Sequence, residues 1–225
     1  MFRRAILAGL AAAAALLAGS VASSETFTPL PEQTYDVDQP GPRGDIAIWL
    51  VEPPASFNAI RACANIVSLD PHRLFAPAFS VVLVAGDEVL RLRFINEDRR
   101  SIVLPAYLRR ESVEAPDTAL TTGSRRKVKR EVRMGSIVEV GKPFDLGLSW
   151  TPEGKVDVMV KTGGREEHIY VTMKTAPTRV RVIASSGYWK LLPFEFGIMD
   201  TTVNPDPDAL MLSGCPPPPP PPDEA

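Results

Sequence analysis

The sequence predicts an all-β fold, an antiparallel two-sheet β-sandwich of jelly-roll type with little helix and disordered termini. Three observations carry this. Apolar and polar residues alternate along about ten short runs, the period of half-buried strands. Turn-forming mixtures such as "AGDE", "TPEG" and "TGGREE" separate those runs. No stretch carries a helical apolar period long enough to cover a sheet, so sheets must cover one another.

The elements follow in chain order. Arg3 and Arg4, an apolar run from Ala5 to Ala18, and the small residues Ser20 and Ala22 form the pattern of a secretory signal peptide over 1–22. That run is shorter than the roughly 20 residues of a membrane span, and no transmembrane segment is expected after it. Ser20 stands where a lipoprotein signal needs a cysteine thiolate, so a soluble exported protein, periplasmic or secreted, is expected rather than a lipoprotein. Residues 23–44 mix proline, glycine and acids and read as a linker. Residues 45–200 hold the alternating runs and read as the sandwich domain. Residues 201–225 read as a disordered tail, because the seven prolines at 216–222 lack amide donors and cannot enter a sheet.

Within the domain, Ile46, Ile48 and Leu50 share a face, Leu90, Leu92 and Phe94 interleave with Arg91 and Arg93, and Val180 and Val182 alternate with Arg179 and Arg181. Ser56 to Val67 reads as a capped turn or short helix. The clearest signal is "GKPFDLGLSWTPEGKVDVMV", Gly141 to Val160. Phe144, Leu146, Leu148 and Trp150 ladder one strand, Val156, Val158 and Val160 the next, with Pro152 and Gly154 placed as a type I turn prefers. "RRKVKREVR", Arg125 to Arg133, reads as an edge strand defended by its charges, with an anion-binding surface as the sharper alternative.

The charge balance of 25 basic and 27 acidic residues gives no reason to expect nucleic acid as a partner. Of the two cysteines, Cys63 and Cys215, two readings stand. In an exported protein the pair invites a disulfide; alternatively Cys63 is a buried thiol and Cys215 an unrelated tail thiol. His72 and His168 lie near no activatable serine or cysteine, so both read as surface or edge histidines. Neither a metal site nor a cofactor is expected, since the His and Cys ligands are scattered and Asp36 with Asp38 lacks the rest of a calcium ligand series. The candidate ligand contacts are Tyr188 and Trp189 as an exposed aromatic platform, and Arg91, Arg93, Arg179 and Arg181 as basic rows. Trp150, at an alternating apolar position, reads as core.

The 141–160 stretch, followed by "TRVRVIASSG" and "PFEFG", resembles the central and closing strands of concanavalin A-like lectin/glucanase sandwiches, the group of laminin G-like modules and galectins. The resemblance spans 79–197 and implies a twisted two-sheet jelly roll and, by family habit, recognition of glycans or protein surfaces. No family site transfers to this chain. The glucanase E-x-D-x-E strand is absent, and "RFINEDRR" does not match the galectin H-x-N-P-R strand. The expectation is an exported, non-catalytic protein that binds an envelope glycan or an anionic surface polymer. The alternatives are a protein-interaction module using the proline tail, and a glycan hydrolase whose carboxylates meet only in the fold.

Overall fold

A computed structural model describes residues 27–41, 47–51, 57–71, 76–98, 101–113, 126–199 and Cys215. The segment read as a signal peptide, His72, residues 201–214 and the proline run lie outside the described residues.

The described chain forms strands only: β1 (Phe27–Gly41), β2 (Ala47–Val51), β3 (Ala59–Leu69), β4 (Ala78–Ala85), β5 (Glu88–Ile95) and β6 (Val103–Val113). They continue as β7 (Arg126–Glu139), β8 (Phe144–Trp150), β9 (Lys155–Thr162), β10 (Arg165–Thr172), β11 (Arg179–Ser185) and β12 (Gly187–Met199). The first sheet has the order β1-β12-β3-β8-β9-β10 and the second β2-β11-β4-β5-β6-β7. Every pairing is antiparallel. The two sheets pack as a sandwich because each has one apolar face.

That apolar face comes from the alternation. Phe144, Leu146, Leu148 and Trp150 on β8 and Val156, Val158 and Val160 on β9 are all buried in one core cluster. Phe79, Val81, Leu83, Leu90, Leu92 and Phe94 meet them from the second sheet. Aromatic rings key the layers together: Phe94 lies 5.0 Å from Phe144, and Phe79 of β4 stacks on Trp189 of β12 at 5.3 Å.

The turns follow their residues. The β8–β9 turn closes with the Gly154 amide donating to the Thr151 carbonyl at 2.9 Å. Gly154 has φ +82°, and a Cβ there would stand 2.7 Å from the Met173 carbonyl oxygen, so glycine is required. Gly163 and Gly164, both with positive φ, form the two-residue turn of the β9–β10 hairpin.

Two elements depart from expectation. Phe27–Gly41, inside the segment read as linker, forms β1 on the edge of the first sheet. Prolines lack a ladder donor but are tolerated on an edge strand, and the β1–β12 register shifts between Pro29 and Thr34 and again between Tyr35 and Val37. The second departure is the expected turn or helix over 56–67, where β3 is a central strand. Ile60, Ala62, Ala64 and Ile66 face the core, and alanine contributes too little hydrophobicity to make that alternation conspicuous.

One carboxylate joins the two sheets along their edges. Glu167 on β10 accepts from the Gly135 amide at 2.9 Å and from the Ser136 amide and hydroxyl at 2.7 Å on β7. Burial would raise its pKa, but these donors outweigh it and hold Glu167 below the ordinary glutamate value. At the start of β5, fully buried Glu88 accepts from Arg110 at 2.7 Å, Lys129 at 3.2 Å and the Lys174 amide at 2.9 Å.

Candidate functional site

Outward-facing positions of the first sheet gather polar side chains at the β8–β9–β10 end. The β9–β10 register sets Asp157 opposite Tyr170 and Met159 opposite His168. Asp157 and His168 are thus diagonal neighbours on one face, within side-chain reach. His168 Nδ1 lies 3.0 Å from both carboxylate oxygens of Asp157, and Nε2 lies 2.6 Å from Glu166 Oε1.

A neutral imidazole has one N–H and one lone pair, whereas two carboxylate acceptors call for a donor at each nitrogen. The geometry therefore suits the imidazolium. Burial alone would lower the His168 pKa, but Glu166 and Asp157 overcome it and hold the ring above the ordinary histidine value. Asp157 is raised, first by burial and in part by Glu166, against the pull of His168.

Tyr170 is 74% exposed and stacks beside His168, with ring centroids 6.2 Å apart and planes 17° from parallel. The negative charge of Asp157 and partial burial keep its phenol protonated to higher pH than usual. Beside Tyr170 opens a cleft of about 290 Å³, with Ser149, Lys155, Asp157 and Thr172 offering polar atoms and Val156, Val171 and Met199 an apolar floor. That volume is at the lower end of the roughly 300–1,000 Å³ of small-molecule sites.

The floor is pinned by Asn58, just ahead of β3. Its side-chain amide donates to the Met199 carbonyl at 2.8 Å and accepts from the Met199 amide at 2.6 Å. Its carbonyl accepts from the Trp150 amide at 2.9 Å. One residue thus ties β3, β8 and β12 together at the cleft, which makes it a rigid rather than a loop-borne feature.

The sequence-based site residues fall elsewhere. Trp189, expected on an exposed platform, is buried and stacks on Phe79 at 5.3 Å. Tyr188 sits on the opposite side of β12, half-buried beside Lys190. Strand alternation forbids two consecutive aromatics from sharing one face, so the pair does not form a platform. Arg91, Arg93, Arg179 and Arg181 do share a face, the outer one of the second sheet, with Arg91 and Arg181 buried, Arg93 half-buried and Arg179 exposed.

Cys63 and Cys215 are joined in a disulfide with Cα atoms 5.3 Å apart. With Asp145 they place metal-type ligand atoms within 4.8 Å of one another, but both sulfurs are spent on the bridge, so the grouping is not a ligand set. Asp145 Oδ1 lies 3.0 Å from Cys215 Sγ, and burial raises its pKa against the pull of Lys161.

His168, read from the sequence as a surface or edge histidine, is part of the constellation that sequence reasoning missed together with Asp157, Glu166 and Tyr170. A usable signal existed. Gly163-Gly164 marks a two-residue hairpin turn, which fixes the register and brings Asp157 to Tyr170.

No family model matches the chain, and no curated protein matches it. Solved structures similar to it include a legume lectin-like domain from Entamoeba histolytica (10% identity, 76% of this chain and 85% of that one, TM-score 0.43). Porphyranase B from Zobellia galactanivorans is another (8% identity, 76% and 80%, TM-score 0.41). A third is scytalido-glutamic peptidase bound to a peptide-based transition-state analogue (11% identity, 72% of this chain, TM-score 0.39), of which the chain spans 66% of the length. The two-sheet sandwich expected from the sequence rests on the strand order of the chain itself. Two of the three are enzymes by name, and the expectation that this chain is not an enzyme is dropped. At these identities no residue and no reaction carries over.

Proposed function

We propose that the chain is an exported saccharide-recognising protein whose ligand seats in the β8–β9–β10 cleft. The observation that carries this reading is the exposed Tyr170 ring standing over the cleft beside the Asp157 carboxylate. A sugar presents apolar C–H faces and a rim of hydroxyls. Tyr170 offers a flat apolar body for the first. Asp157, Ser149 and Thr172 offer acceptors and donors for the second.

His168, held in turn by Glu166, keeps Asp157 in place and offsets part of its charge, so it can accept hydroxyl donors without a free buried charge. The Cys63–Cys215 bridge suits an oxidising compartment and supports export together with the signal-like start. Among the described residues no helix is long and apolar enough to cross a membrane.

A glycan array probed with the full chain tests the reading, with release of new reducing ends followed on the same panel. Binding of at least one saccharide class, lost in Asp157→Asn and Tyr170→Ala, is the expected result. A blank array, or hits that both variants retain, overturns it.

A further inference from the structure

The Cys63–Cys215 bridge lies on the outer face of the first sheet beside a carboxyl group. Ile60, Ala62, Ala64 and Ile66 face the core, so strand alternation points Cys63 outward from β3. Phe144 and Leu146 face the core from β8, which points Asp145 outward in the same way. The β3–β8 register sets Cys63 directly opposite Asp145. The two sulfurs and a carboxylate oxygen thus lie within 4.8 Å of one another, with Asp145 Oδ1 3.0 Å from Cys215 Sγ.

That contact has a different value in the two states of the bridge. A disulfide sulfur carries no proton, so an ionised Asp145 gains no hydrogen bond from it and sets its charge against sulfur lone pairs. A protonated Asp145 can donate to the sulfur, and an ionised one can accept from a free thiol. A bridge that only ties the chain together gains nothing from a carboxyl at this place. Burial acts in the same direction, raising the Asp145 pKa against the pull of Lys161.

The charged neighbours are few. Lys161 of β9 stands opposite Asp145, and Glu166 of β10 stands opposite Lys161. On β3, Arg61 pairs with Glu195 of β12 at 2.7 Å. Half-buried Lys161 offers a cation to an incoming thiolate.

The two sulfurs also differ in access. Cys63 is 4% exposed, whereas Cys215 is half-buried. An attacking thiolate therefore meets Cys215, and Cys63 is the sulfur that leaves. A thiolate released into a buried place beside a carboxylate is costly. One that takes a proton as it leaves avoids that cost.

We propose that Cys63, Cys215 and Asp145 form a thiol–disulfide exchange site for small-molecule thiols, with Asp145 as its general acid. The thiolate sulfur attacks Cys215 Sγ, the bridge breaks, its electron pair passes to Cys63 Sγ, and Asp145 protonates that sulfur. The products are a mixed disulfide on Cys215 and a free Cys63 thiol. After Asp145 regains a proton from water, a second thiolate attacks the sulfur contributed by the first. Cys215 then leaves with the electron pair and takes the proton. In sum, two small thiols are oxidised to one disulfide and the bridge is reduced to two thiols. The site does not depend on the saccharide reading.

Incubation of the bridged full chain with glutathione, followed by alkylation and mass spectrometry, tests the proposal. A glutathione adduct on Cys215, with Cys63 alkylated, is expected without urea. The rate constant per glutathione thiolate should rise at least tenfold as pH falls from about 8 to about 4.5, because Asp145 carries its proton below its raised value. Asp145→Asn cannot give a proton and should hold that rate constant flat within about twofold. Lys161→Gln leaves both sulfurs and the carboxyl in place; it should move the rise to higher pH, and it serves where Asp145→Asn does not fold. An adduct that forms only in urea, one shared equally with Cys63, an unchanged pH profile in the variants, or reaction with a protein dithiol alone overturns the proposal.

Discussion

The two outer faces of the sandwich are built by the same period-two strands and are chemically opposite. On the first sheet, carboxylates converge on one imidazole beside an exposed tyrosine and a cleft. On the second, Arg91, Arg93, Arg179 and Arg181 stand in rows among buried valines. The inward faces are alike, both paved with Val, Leu and Phe. Burial constrains the inward set of residues to be apolar on both sheets, so the common fold resides in that set and the distinct chemistry in the outward one.

The strongest perturbation of the first face is loss of its bridge. Cys63→Ser with Cys215→Ser opens a loop of 152 residues and should cost about 4 kcal/mol in urea unfolding. Next comes Glu88→Ala in the second sheet, which strands Arg110 and Lys129 without their acceptor and should cost about 3 kcal/mol. Burial would raise the Glu88 pKa, but its donors win and lower it. Its contribution is therefore present above the ordinary glutamate value of 4.5 and lost as pH falls through the lower folded value. Acid unfolding curves of wild type and variant should converge there.

His168→Gln should act in the opposite pH direction. A histidine raised in the fold stabilises it below its ordinary value of 6.5 and loses that contribution as pH rises through the folded value. The variant should be less stable than wild type by about 1 kcal/mol at pH 5.5, and the gap should close as pH rises through the raised folded value. Smallest in stability and most selective is Tyr170→Ala, which should shift unfolding by no more than about 0.5 kcal/mol while weakening saccharide binding about tenfold.

Burial is what made the fold legible in the sequence. Val156, Val158 and Val160 alternate because one face must be dry, and that demand writes a period into the chain. β3 was obscured because Ala62 and Ala64 pack against the core with little apolar bulk, and β1 because edge pairing tolerates prolines. The site was legible only in parts. Asp157 and His168 are eleven residues apart, and nothing in either residue announces the other; only the Gly163-Gly164 turn carries their meeting. The cleft floor needs Asn58 to reach Met199 across 141 residues, a contact that no local pattern encodes. The arginine rows were visible as alternation on separate strands, but the order β11-β4-β5 that makes them neighbours arises from strand topology rather than from any one segment.

The most direct test of the saccharide reading is amide chemical-shift mapping of the full chain titrated with whichever sugar the array returns. The account predicts that the largest changes fall at Ser149, Asp157, His168, Tyr170 and Thr172, with the β5 and β11 amides still. Changes centred on β5 and β11, or spread over the core without a maximum at Tyr170, would contradict it.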